Sequence, residues 1–234
     1  MIVGLYHLGT LIFLNKSLNK IFSSISELKY QKILVSVNLI LFLFYPIILF
    51  TNYGSIILKI VAYITFILGI FKISKKILVK FKIHKFENFE VYLIFFLFVG
   101  YFLISIAPPT SADSLDYHLY VGKYLQEFGK FPQDLNHFTS IISGSGELLI
   151  ALGLFVGSEQ LSSIIQFFGL VSLLGVLKKF NKQNIYVLII IASPVVIFLI
   201  STLKPQLFHI SSNAIIFALL IKNFHNISSN RKYE

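Results

Sequence analysis

The sequence has no cysteine and no tryptophan, and only 10 of its 234 residues are acidic. The absence of cysteine excludes disulfides, thiolate zinc sites and a cysteine nucleophile. Charged residues make up 13% of the chain, against about 25% in a soluble domain. There is no glycine-rich phosphate loop, no dinucleotide-binding fingerprint and no HExxH zinc motif. No hydrophilic stretch is long enough to form a domain that cradles a nucleotide. An activated group handled by such a chain would have to arrive on a lipid. The N-terminus is apolar from Ile2 but lacks the basic leader and small-residue cleavage site of a secretory signal.

What is abundant is hydrophobic sequence, 56% of the chain, with a mean hydropathy of +0.81. Apolar runs of roughly 18 residues recur, the length needed to cross about 30 Å of hydrocarbon. They fall at 2–14, 33–50, 53–71, 89–107, 161–177, 185–201 and 207–221. Thr51 and Asn52 split one pair into a hairpin, and Lys204 and Pro205 split another. Pro108 and Pro109 end the run that precedes them, because proline cannot continue a helix. The net charge of +10 comes from lysines gathered between the apolar runs. That is the pattern of cytoplasmic loops in membrane proteins, and no nucleic-acid partner is expected.

The positive-inside rule sets an orientation. The basic segments 15–32, 72–88 and 178–184 and the tail after 222 are placed in the cytoplasm. The 51–54 turn, the 108–140 loop and Lys204 then face outward. This closes only if 141–156 does not cross, which gives seven crossings and a segment that is re-entrant or interfacial, with a two-helix hairpin as the alternative. Gly144, Gly146 and Glu147 suit a segment packed on protein rather than lipid. The expected fold is all-α, a polytopic transmembrane helical bundle. Its parts are N-terminal helices with a basic loop (1–88), a core (89–222) that carries the outer loop, and a polar tail (223–234).

The outer loop is the longest polar stretch. On a helical wheel of 114–128, Tyr117, Tyr120, Val121, Tyr124 and Phe128 share one face, with Asp116, Lys123 and Glu127 beside it. This predicts an amphipathic helix lying in the membrane interface, stopped by Gly129. Asp113 and Asp116 open it. One role for them is helix capping and dipole stabilisation. The other is a carboxylate pair that binds a divalent cation, Mg or Mn, or acts as general base on an acceptor hydroxyl. His118 is a candidate base or phosphate ligand, or a plain interfacial histidine. Glu147 is an ionisable group in an apolar stretch and a functional candidate on that ground. Lys204 suits pairing with a lipid phosphate or ordinary snorkelling. His137 and His209 are weaker candidates.

The segments PPTSADSLDYHLYVGKYLQEFGKFP, GELLIALGLFVGSEQL and STLKPQLF resemble the N-terminal half of GT-C type membrane glycosyltransferases. The likeness is to the bacterial lipopolysaccharide-core and protein mannosyltransferase-like group. Asp113 matches that group's loop carboxylate, and Tyr117 and His118 match a Tyr-His pair that follows it. Glu147 matches an acidic position before a Gly-containing segment. Lys204 and Pro205 match a later motif in which Gln206 stands where an Asp is common. Asp116 has no counterpart. The resemblance implies a GT-C-like bundle in a bacterial inner membrane with its site on the extracytoplasmic side. It implies an inverting glycosyltransferase that moves a sugar from a polyprenyl-phosphate donor to a lipid, glycan or protein acceptor. Asp113 and Asp116 would be catalytic, while Tyr117, His118, Glu147 and Lys204 would bind substrate. Members of the group are usually longer, so this chain reads as a fragment, split gene or reduced relative. The rival functions are a transporter or flippase of lipid-linked sugars and a non-catalytic membrane subunit.

Overall fold

The computed structural model describes residues 31–51, 53–76, 89–133, 144, 146–180 and 183–230. The apolar run at 2–14, most of the basic segments at 15–32 and 72–88, His137 and most of the outer loop beyond Gln133 lie outside these residues. Every regular element described is helical. In chain order these are α1 (Gln31–Phe50), α2 (Gly54–Lys76), α3 (Phe89–Ile106), a π-helical turn (Ser114–His118) running into α4 (Leu119–Phe128), α5 (Glu147–Leu154), α6 (Leu161–Phe180), α7 (Asn184–Ile191), α8 (Pro194–Ser201) and α9 (Gln206–Asn230).

Among the described residues, two helical segments, Phe89–Ile106 and Leu161–Lys178, are long and apolar enough to span a membrane. They hold different places. The first is 11% buried and the second 67%, so α3 lies at the periphery and α6 at the centre. α9, α3, α5 and α1 all pack on α6. The outer faces of the peripheral helices carry exposed phenylalanines, including Phe42, Phe50, Phe89 and Phe96. Such a surface suits hydrocarbon rather than water.

The apolar run at 185–201, expected as one crossing, is broken into two helices. α7 and α8 meet at a bend of 57°, a third candidate span if the pair crosses together. The break has a local cause. Pro194 has no N–H and disfavours the helical conformation of the residue before it. Ser193 is accordingly extended, at φ −66° and ψ 128°, and Pro194 takes the first turn of α8.

α5 is eight residues long, about 12 Å at the rise of an α-helix, too short to cross a bilayer. All residues from Glu147 to Gly153 are buried. It packs on α4, α6 and α2, with protein on every side.

The helix of the outer loop stops at Gly129, as its sequence predicts. Gly129 adopts φ 68° and donates its N–H to Leu125 O at 2.9 Å. A Cβ on Gly54 would fall 1.8 Å from Gly129 O, so the start of α2 seats on the end of α4 only because both residues lack side chains. Ser55 Oγ donates to Gln126 O at 2.6 Å and fixes the contact. The aromatic stripe is present on the outward face: Tyr120, Tyr124 and Phe128 follow one another at ring separations of 6.2 and 4.5 Å. Val121, expected on that face, is buried with Gly122 and Leu125. Val121 follows Tyr120 by about 100° on the helical wheel, at the edge of the aromatic face that adjoins buried Gly122 and Leu125.

Candidate functional site

Three chain segments meet at one end of the bundle: 111–118, 144–147 and 202–205. The first begins with a cap. Ser111 Oγ accepts the N–H of Ser114 at 3.2 Å and donates to Ser114 Oγ at 2.6 Å. Ser111 is therefore the helix cap, the role that the sequence pattern offers to Asp113. Asp113 has helical backbone angles and makes no cap hydrogen bond with its side chain. Its carboxylate is left to reach outward.

There it meets Lys204. Lys204 Nζ donates to Asp113 Oδ2 at 2.5 Å and lies 5.7 Å from the centre of the Phe198 ring. The lysine head is 19% exposed and the carboxylate 63%, so the anionic partner is the accessible one. The hydrogen bond from Lys204, then its positive charge, holds the Asp113 pKa below the ordinary carboxylate range, with a smaller contribution from His118.

One turn further along, His118 Nδ1 lies 2.9 Å from Glu147 Oε1. Both residues are buried. The second carboxylate oxygen of Glu147 accepts the N–H of Gly144 at 2.9 Å. Glu147 thus has partners for both oxygens, which is the condition for keeping a carboxyl group inside a protein. The Tyr117 and His118 rings are 4.3 Å apart. Gly146 supplies the join to the third segment. A Cβ there would lie 2.0 Å from Pro205 Cγ, so the proline ring rests directly on the glycine backbone.

The third segment, 202–205, is the non-helical link between α8 and α9. Helix ends leave unpaired backbone groups, and here α6 supplies their partners. Ser162 Oγ donates to Leu203 O at 3.1 Å, and Gln166 Nε2 donates to Thr202 O at 2.9 Å. Leu203 N donates to Ser114 Oγ at 3.0 Å.

The structure therefore brings Asp113, His118, Glu147 and Lys204 into one polar cluster, with Tyr117 at its edge. Asp116 stands apart, exposed on the outer side of the π turn. The pair Asp113 and Asp116 is a poor donor set for a divalent cation. Asp113 is already neutralised by Lys204, and no group of three or more His, Asp or Glu side chains gathers among the described residues. Four participants do not stand out in the sequence as site residues: Ser111, Ser114, Ser162 and Gln166. Ser162 and Gln166 carry a visible signal nonetheless, since they are polar residues one turn apart inside an apolar run.

The fold and site define an all-helical membrane protein with a partly buried polar cluster at one end of its bundle. Residues 70–233 match the DUF1420 N-terminal domain, and the chain belongs to that family. No curated protein and no solved structure matches it.

Proposed function

We propose that the protein is a membrane glycosyltransferase. It moves a sugar from a polyprenyl-phosphate donor to a hydroxyl acceptor on the extracytoplasmic side of a bacterial inner membrane. The proposal includes a GT-C-like bundle of about seven spans, oriented by the lysine-rich segments. The observation that carries it is the contact between Lys204 and Asp113 at 2.5 Å, a cation and a carboxylate presented together at the end of apolar helices. Glycosyl transfer from a lipid phosphate needs those two groups in reach of each other.

The chemistry follows from the pair. While Lys204 is bound to it, Asp113 is a weak base. A donor phosphate competes for the ammonium and displaces the more exposed carboxylate from it. The Asp113 pKa then rises toward its ordinary value, and the carboxylate is free to accept a proton. The acceptor oxygen bonds to the anomeric carbon as the bond to the phosphate oxygen breaks. The phosphate leaves with that electron pair, its charge met by Lys204, and Asp113 takes the hydroxyl proton. His118, held by Glu147, adds a polar ring beside the same space. No step is assigned to a metal ion.

A transporter or flippase of lipid-linked sugars has one observation in its favour, the broken α7 and α8 with a non-helical link after them, since transporters build sites from interrupted helices. Here the link's carbonyls at Thr202 and Leu203 are bonded to α6 side chains and are not offered to a passing solute.

The test is turnover of a polyprenyl-phosphate sugar by the protein in vesicles. Asp113→Asn is expected to abolish release of the lipid phosphate while leaving membrane insertion intact. Full turnover by that variant would overturn the assignment. Movement of the intact donor across the bilayer without its cleavage would favour the transporter.

A further inference from the structure

Gln166 lies in the second turn of α6 and is 0% exposed. A carboxamide is costly to bury unless both of its ends are bonded. Both are. Nε2 donates to Thr202 O at 2.9 Å, and Oε1 accepts the N–H of Leu207 at 3.2 Å. The amide has one consistent orientation, since the nitrogen must face the carbonyl and the oxygen the N–H. The two backbone groups it grips stand on either side of Lys204 and Pro205. One is the end of α8 and the other is an orphan donor in the first turn of α9.

We infer that Gln166 is a positioning residue for Lys204: its side chain bridges the link between α8 and α9 and sets where the ammonium stands relative to Asp113. The bridge works together with a second anchor. Leu203 N is held by Ser114 Oγ at 3.0 Å, and Ser114 is the residue after Asp113. The link is thus tied on one side to the segment bearing the carboxylate and on the other to the central helix. Gly146, against the Pro205 ring, leaves no slack on the third side.

No aliphatic residue of similar length supplies this bridge, because it needs a donor and an acceptor on one planar group. Glutamate supplies both only when protonated. As a carboxylate it presents a lone pair to the Thr202 carbonyl, and the contact becomes repulsive. Gln166→Glu is therefore a switchable version of the residue. Burial raises a carboxyl pKa, so the protonated form is accessible at mildly acid pH.

The positioning role is independent of which reaction the site performs, and its test does not use turnover. The sequence contains no cysteine, so introduced pairs are the sole thiols. The 234-residue chain in membranes carries Asp113→Cys with Lys204→Cys and is treated with a short bifunctional methanethiosulfonate. A second protein carries Gly169→Cys with Ser211→Cys as a reporter of α6 and α9 packing. A Cβ at Gly169 lies 3.6 Å from Ser211 Cβ, within disulfide range. Adding Gln166→Met is expected to lower the 113–204 cross-link roughly tenfold, the effect of two lost buried hydrogen bonds, and to leave 169–211 unchanged. Adding Gln166→Glu is expected to give a 113–204 yield that recovers as pH falls. An unchanged 113–204 yield in Gln166→Met would overturn the inference. So would a pH-independent yield in Gln166→Glu. Equal loss in both pairs would also overturn it, by making Gln166 a packing residue of the whole bundle.

Discussion

Lys204 and Asp113 are 91 residues apart in the chain and 2.5 Å apart in space. Their partnership divides labour within the pair: the lysine is mostly covered and fixed, and the aspartate is mostly open. An incoming anion would displace the carboxylate and leave the cation in place. Lys204→Met is expected to reduce turnover by about 100-fold or more, the usual scale for losing a charge that stabilises a leaving group. Lys204→Arg should retain part of it. Steady-state rates in vesicles distinguish the two. Wild-type turnover by Lys204→Met would remove the lysine from the chemistry.

The same pair predicts a titration. The Asp113 pKa is depressed by the Lys204 hydrogen bond and charge. A depressed carboxylate contributes its stabilisation above its unfolded-state pKa and loses it as pH falls through the folded value. The pair should therefore persist through the range in which ordinary aspartates protonate. Carbodiimide, which attacks protonated carboxyl groups, should label Asp113 only at lower pH than a free aspartate. In Lys204→Met the onset should move up to the ordinary range. An onset unaffected by that substitution would show that the lysine does not bind the carboxylate in the membrane.

Glu147 predicts a graded loss of stability. Glu147→Leu strands the buried His118 nitrogen and the Gly144 N–H. Leaving buried polar groups unpaired costs about 1–3 kcal/mol each. Glu147→Gln keeps acceptor capacity and should cost less. Thermal unfolding in detergent is expected to rank the proteins wild type, then Gln, then Leu. Equal midpoints for Gln and Leu would mean that the hydrogen bonds contribute nothing.

Two glycines should respond in opposite directions. Gly146→Ala places a methyl group 2.0 Å from Pro205 Cγ and must push the 202–205 link away from α5. A methyl group added at Gly100 in α3 would meet nothing within 4 Å, and replacing a mid-helix glycine with alanine stabilises by about 0.5–1 kcal/mol. Gly146→Ala is expected to lower the unfolding midpoint and the Asp113–Lys204 cross-link, and Gly100→Ala to raise the midpoint slightly. The reverse order would contradict the close packing of Gly146 on Pro205.

The sequence is informative where a single residue type carries a strong constraint. Apolar length places the helices, Gly129 ends α4, and charged residues inside apolar surroundings point to Glu147 and Lys204. It is less informative where the outcome depends on a partner far along the chain. That Asp113 binds Lys204 rather than capping its own helix is decided by Ser111, which takes the cap, and by the fold, which delivers the lysine. The π turn has no sequence mark, and Val121, at the edge of the aromatic face, is buried because α5 packs on that side of α4. The break between α7 and α8 does have a mark. Pro194 stands inside the apolar run, and hydrophobic length masks it. Gln166 is marked only by its one-turn spacing from Ser162, because one amide in a long apolar helix barely alters its hydropathy, yet it satisfies backbone groups on both sides of Lys204 and Pro205.

Gly54 and Ser55 grip the last turn of α4, and Asp113 lies in the first turn of the same helical rod. The hairpin and the carboxylate therefore share a joint. In the proposed seven-span bundle α2 crosses the bilayer, and a thickness that makes it lean would lever the far end of that rod and alter the gap at the Lys204 head. Turnover compared across vesicles of short and long acyl chains would reveal that sensitivity, and a flat response would show that the joint is slack.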